Sequence, residues 1–164
     1  MAPDGLRGLA TPMPEAKPTI RVLIDHRRAR HEFELLETFE AGISLLGSEV
    51  KSLRAGEANL QEGFVTLKDD GAWLHGLHIN PYRYATQEQH AATRPRRLLL
   101  HRHELAKMVK ATRLKGMTVV PTKLYLKGSR IKVEIAIARG KKLHDKRHSL
   151  KERDAKRDMD RHRR

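Results

Sequence analysis

Between Glu40 and Leu60 the chain reads EAGISLLGSEVKSLRAGEANL, and its apolar residues change period partway along. Up to Ile43 they alternate: Phe33, Leu35, Phe39, Ala41 and Ile43 fall on one side of an extended strand, with Glu37 the break in that face. From Ile43 onward Leu46, Val50 and Leu53 recur at steps of three and four, the spacing of a helical stripe. Ser48 is placed to cap the first free amides, and Gly56 to close the helix in the left-handed conformation. A strand that feeds a short helix directly, with Lys51 and Arg54 on the helix's outer face, packs a core on one side and offers positive charge on the other.

The remaining periodic segments are mostly strands. Phe64 to Lys68 and Trp73 to Ile79 flank Asp69-Asp70-Gly71, a hairpin signal. Tyr82 to Arg97 is a long polar connection of the kind that is commonly functional or mobile. Leu105, Met108, Val109 and Thr112 share a helical face that Gly116 stops. Met117 to Leu126 is a strand containing Pro121, which requires an edge or a bulge. After a turn at Lys127-Gly128-Ser129, Ile131, Val133, Ile135 and Ile137 alternate with Lys132, Glu134, Ala136 and Ala138. Strands joined by short turns, with two helices inserted and no regular strand–helix alternation, exclude a doubly wound sheet. The expectation is a mainly β protein with short helices, folded as a small closed Greek-key barrel of the oligonucleotide-binding (OB-like) type.

The 164 residues suffice for one domain with tails: a proline-rich, aperiodic leader at 1–19, a barrel at 20–138 and a basic tail at 139–164. With 34 Lys plus Arg against 20 Asp plus Glu, the net charge of +14 points to a polyanionic partner. No apolar run approaches the roughly 18 to 20 residues that span a bilayer, and no lipidation motif occurs, so nucleic acid is favoured over membrane. The absence of cysteine and of a secretory signal points to the cytoplasm. Aromatic residues make up only 4%, which argues against a recognition surface built mainly on base stacking; phosphate and shape contacts should dominate.

Arg139 to Arg164 holds twelve Lys or Arg against five Asp or Glu, half of the excess charge. Leu143, Leu150 and Met159 are its large apolar side chains, too few to offset an ordering cost of about 1 to 2 kcal/mol per residue. The free tail is therefore expected to be disordered. Oppositely charged pairs at helical spacing, Glu152 with Lys156, Asp154 with Arg157 and Asp160 with Arg164, nonetheless prepare it to become helical against phosphates.

Chemistry is sparse by comparison. His101-x-His103-Glu104 lacks the second histidine four residues on that a helical zinc motif needs, His75 and His78 fall on opposite faces of a strand, and no GxxxxGK[ST] loop is present. No metal, cofactor or catalytic site is expected. A ribonuclease using paired histidines would need two that converge, and nothing in the sequence shows which.

The central stretch, together with ARHEF (Ala29 to Phe33) before it and GKKLHDKR (Gly140 to Arg147) after the last strand, closely resembles the SmpB family, from about Leu23 to Arg153. That resemblance implies an OB-like barrel and a function: binding transfer-messenger RNA and delivering it to stalled 70S ribosomes for trans-translation. It implies an RNA-binding barrel face at His26, Arg27, Arg28, Glu40 and His101. It further implies a tail that folds along the empty messenger channel near the decoding centre, through Lys141, Lys142, Asp145, Lys146, Arg147, Lys151 and Arg153. The protein would be a monomer and not an enzyme; a structural ribosomal or ribosome-assembly protein is the alternative. The chain departs from the family where His26 and His101 replace the usual Asn, where Ala155 replaces a common Trp, and where His162 and Arg163 replace an apolar pair.

Overall fold

The computed structural model describes residues 18–84 and 90–162, the side chains of 143–150, 160 and 162 excepted. The leader up to residue 17 and part of the long connection therefore lie outside the described residues. In chain order the elements are β1 (Ile20–Asp25), α1 (Arg27–Glu32), β2 (Phe33–Ile43), α2 (Gly47–Arg54), β3 (Ala58–Asn59), β4 (Phe64–Lys68) and β5 (Gly71–His75). They continue with β6 (His78–Ile79), β7 (Arg96–Leu99), α3 (Arg102–Thr112), β8 (Met117–Lys127), β9 (Arg130–Gly140) and α4 (Leu143–His162). The protein is mainly β with short helices.

Seven strands pair in the order β1-β8-β4-β5-β7-β2-β9, and β9 pairs again with β8; β3 and β6 form a separate ribbon. All of these pairings are antiparallel. The β9 alternation works as its sequence predicts on the inner side, where Val133, Ile135 and Ile137 join Ala41, Leu74, Val119 and Leu124 in the core. Its other face is not solvated throughout. Ala136 and Ala138 are fully buried too, and Ala138 packs with Ala29 of α1 and Val120 of β8. Small side chains are needed there because a helix lies directly on the sheet, where any larger residue would hold it off. α2 adds Leu53 and α3 adds Met108 to the main core, each worth about 1.5–3 kcal/mol relative to exposure.

Pro121 stands at a register shift of β8 between Pro121 and Lys123, so the strand is bulged and not an edge: β8 pairs with β1, β4 and β9. Gly56 has φ 77°, as the closure of α2 requires. Two local expectations are corrected. Ser48 does not cap α2; the Leu46 amide donates to the Glu49 carboxylate at 2.8 Å, and Ser48 Oγ instead pairs with His90 Nδ1 at 3.0 Å. A carboxylate one turn inside the helix reaches back to the orphan amide and releases the hydroxyl for a tertiary partner. His75 and His78 are likewise not on one strand. Gly76 breaks it at φ 70°, where an added Cβ would lie 2.1 Å from the Glu62 carbonyl oxygen, and His78 belongs to β6.

The end of the long connection is fixed, since Arg94 and Arg96 both bind the buried Glu49. At the far end of the chain β9 continues through Gly140, and the Lys141 amide donates to the Glu32 carbonyl at 2.9 Å. The tail then runs as the continuous helix α4, in contact with α1. Its described side chains at 151–159 are all exposed, and Arg161 lies 4.0 Å from Asp158 three residues before it.

Candidate RNA-binding surface

Glu40 points outward from β2, because its neighbours Phe39 and Ala41 take the inner side. Register places it opposite Glu134 of β9, with Lys132 one step on beside Gly42. Tyr125 Oη donates to Glu40 Oε2 at 2.6 Å, Lys127 Nζ donates to both carboxylate oxygens at 3.0 Å, and Lys132 Nζ lies 3.9 Å from Oε1. The Tyr125 hydroxyl and the Lys127 ammonium hold the Glu40 carboxyl below its ordinary range, against the effect of burial. Burial, with the bond to Glu40 second, pushes the Tyr125 phenol up. Glu40 is thus an anchored carboxylate that orients two lysines on an open wall; its partners are lysines and a tyrosine rather than an arginine.

The same wall includes His101. Glu40, Gly42, Leu99, Leu100, His101, Glu104 and Lys132 line one cleft. Gly42 keeps the cleft open beside Leu99, since a Cβ there would stand 3.1 Å from Leu99 Cβ and the leucine would have to shift by a few tenths of an ångström. His101 is the exposed N-cap of α3; its amide donates to Glu104 at 3.0 Å, and its ring stacks on His103 with centroids 5.6 Å apart. The ring is therefore available to a ligand in the cleft, flanked by one ammonium and two carboxylates.

α1 rides on the same wall, over β2 and β8. Arg27, 90% exposed, reaches Asp25 at only 3.6 Å, and Arg28 donates to Glu32 at 2.7 Å across one helical turn. That bond raises the Arg28 guanidinium further. His26 is different. Its side chain is turned inward and buried, with Nδ1 2.8 Å from the Pro121 carbonyl and Nε2 3.1 Å from the Gln61 carbonyl. The expectation that His26 offers a donor to RNA is corrected: both ring nitrogens face protein carbonyls, and the residue ties α1 to the β8 bulge and to the loop before β4.

Of the tail residues singled out, Lys141 is held through Nζ by the Arg30 carbonyl at 3.1 Å, and Lys142, Lys151 and Arg153 are exposed. The side chains of Asp145, Lys146 and Arg147 lie outside the described residues, as do the side chain of His162 and the whole of Arg163. Arg153, Lys156 and Arg157 face Asp25, Arg27 and Arg30 across a shallow cleft. Among the described residues no group of three or more His, Cys, Asp or Glu could hold a metal ion.

Sequence reasoning missed Tyr125, Lys127, Lys132 and Leu99. The strand alternation could have turned Lys132 and Lys127 outward, but Tyr125 and Lys127 lie 85 and 87 positions from Glu40, and only strand register joins them.

The family model described as SmpB protein matches residues 23–164. A Synechococcus SsrA-binding protein is 52% identical over 145 residues, covering 88% of this chain and 94% of that protein. Those of Thermobifida fusca and Parafrankia are 52% and 53% identical, over 86% and 88% of this chain and 88% and 92% of theirs. Among solved structures, a chain described under "tmRNA-SmpB: a journey to the center of the bacterial ribosome" superposes with TM-score 0.62 at 44% identity, over 73% of this chain and 85% of the other. With a family model spanning most of the sequence and relatives at half identity, the chain belongs to the SmpB family.

Proposed function

We propose that the protein binds transfer-messenger RNA through the wall of α1, β2, β8 and β9, and delivers it to stalled ribosomes for trans-translation. The observation that carries this reading is the cleft that unites Glu40 with His101 beside Lys132, on the wall that also bears Arg27 and Arg28. A ligand there meets fixed cations, one anchored carboxylate and an imidazole edge, a set suited to phosphates flanking a hydrogen-bonding base or sugar. No step of bond making is assigned to the site, and a binding protein acting as a monomer in the cytoplasm fits these features. A closed OB-like barrel is supported by the ring of pairings β8-β4-β5-β7-β2-β9-β8.

The tail is proposed as the ribosome-facing element, a marginal helix that exchanges with coil in the free protein and is stabilised in the messenger channel. Its exposed face supports this, since helices without packing are weak in water. Hydrogen exchange should be fast across Leu143–His162 and slow in β8 and β9; protection of the tail in the free protein equal to that of the strands would refute the proposal.

Salt dependence tests the wall. Neutralising Arg27, Arg28 or Lys132 should flatten the plot of log affinity for transfer-messenger RNA against log salt, by about 0.7 to 0.9 for each phosphate that no longer meets a cation. Glu40→Gln should leave that slope nearly unchanged, yet weaken this RNA relative to an unrelated structured RNA by about 1 to 3 kcal/mol. Tighter binding of both RNAs would reduce Glu40 to a repulsive charge and remove it from the site. The RNA that copurifies with the chain separates this reading from a ribosome-assembly role, for which ribosomal RNA alone would be recovered.

A further inference from the structure

The outer face of β4, β5 and β7 carries a feature that the proposed function does not use. Phe64 on β4 stands opposite His75 on β5, and their rings are stacked with centroids 5.0 Å apart and planes 9° from parallel. Thr66, next on the same face, holds His75 through Oγ1 to Nε2 at 2.9 Å, and lies opposite Trp73. The indole N–H of Trp73 donates to Asp70 at 3.3 Å, and Lys68 Nζ lies 5.9 Å from the indole ring. Across β7, Trp73 pairs with Arg97, whose guanidinium binds the Asp70 carbonyl at 2.8 Å. Three aromatic rings are thus set on two paired strands with a cation on either side.

This is a costly use of aromatic residues in a chain that has so few. Phe39 packs against the main core, Phe33 against the smaller one under α1, and Tyr125 is committed to Glu40. Phe64 by contrast is 49% exposed and does nothing for either core, while its neighbour Val65 takes the inner side. Rings whose positions are fixed by Thr66 and Asp70, beside Lys68 and Arg97, form a surface on which a nucleobase can stack while its phosphate meets a cation. In the ring of pairings β4 lies three strands from β2 in either direction, so Phe64 faces away from Glu40, while Arg97 at the other end of the platform stands two residues from Leu99 of the Glu40–His101 cleft on the same face of β7. An RNA seated in that cleft leaves Phe64 and His75 open to another.

We infer that Phe64, Trp73 and His75 form a stacking platform for an unpaired base of ribosomal RNA, engaged while transfer-messenger RNA occupies the opposite wall. The inference rests on the ribosome-delivery reading above, and its experiment separates the two. Trp73 is the one tryptophan of the chain, so replacing it biosynthetically with 5-hydroxytryptophan gives a fluorophore on this face that is excited apart from tryptophans of ribosomal proteins. The full-length protein is then titrated with purified small ribosomal subunits and, separately, with purified transfer-messenger RNA.

The expected result is quenching by the subunits and none by transfer-messenger RNA alone. Phe64→Leu should weaken subunit binding about five- to hundredfold, the range for loss of one stacked base, and Phe64→Tyr should restore it, with transfer-messenger RNA affinity the same in all three proteins. Equal thermal midpoints check that the leucine variant is folded. Unchanged subunit binding by Phe64→Leu overturns the platform while leaving the functional reading intact; failure of the wild-type chain to bind either RNA partner overturns both. Quenching by transfer-messenger RNA alone overturns the assignment to ribosomal RNA. A photoreactive side chain at position 73 that crosslinks to a ribosomal protein rather than to ribosomal RNA does so as well.

Discussion

Glu49→Gln is expected to destabilise the protein by about 3–5 kcal/mol, the range for removing one partner of a buried ion pair. Glu49 and Arg96 are both fully buried. The carboxylate accepts from the Leu46 amide at 2.8 Å, from Arg94 at 2.8 and 2.6 Å and from Arg96 Nε at 3.0 Å. Arg96 also donates to the carbonyls of Leu77, Ala92 and Arg94, so its guanidinium is held in place whether or not Glu49 is charged. Glutamine keeps the shape and strands a positive charge in the interior. The same change weakens the hold of α2 on the end of the 82–97 connection, because Arg94 and Arg96 both bind the Glu49 carboxylate there, while the Ser48–His90 contact remains. Urea unfolding with an unchanged m-value would report the loss directly. A difference below about 1 kcal/mol would mean that the carbonyls alone support Arg96.

The pH dependence of this variant follows from the sign of the Glu49 shift. Burial disfavours the carboxylate, but Arg94, the Leu46 amide and Arg96 outweigh it and hold the group below its ordinary value of 4.5. A depressed folded value means that the stabilisation is fully present above 4.5 and is lost as the pH falls through the lower folded value. The wild-type protein should therefore lose stability on acidification more steeply than Glu49→Gln, and the two curves should converge in acid. Parallel curves would place the acid sensitivity elsewhere, Glu40 and Glu134 being, among the described residues, the other carboxylates whose folded values are depressed.

Removal of residues 143–164 should abolish tagging of stalled chains while changing affinity for transfer-messenger RNA by only about a few-fold, as expected when distant, screened charge is taken away. The cut is placed after Lys142 because Gly140 still pairs with Phe33 and the Lys141 amide still binds Glu32. Among the described residues both core clusters lie before the cut, so the wall with Arg27, Arg28, Glu40 and Lys132 is expected to be left as it was. A tail-less protein that tags at the normal rate would refute the division between wall and tail. Comparable collapse of both activities would instead put the cleft between Arg27, Arg30, Arg153, Lys156 and Arg157 at the centre of RNA binding.

Whatever depends on near neighbours could be read from the chain. The change of period at Ile43 separates β2 from α2, the alternation from Ile131 to Ala138 makes β9, Gly56 closes α2 at positive φ, Gly116 sits at positive φ in the turn between α3 and β8, and Pro121 marks the bulge. These follow from backbone sterics and from which side of one element is apolar. Which polar groups meet is set instead by how the elements assemble. Nothing local distinguishes His26, turned inward to two carbonyls, from Arg27 beside it, almost wholly exposed. Nothing local joins Glu40 to Tyr125 and Lys127, or Glu49 to Arg94 and Arg96, since strand register and loop path bring those groups together. The alanines of β9 show the boundary between the two. Their alternation places them on the outer side, and there the docking of α1 against Ala138 calls for a small side chain.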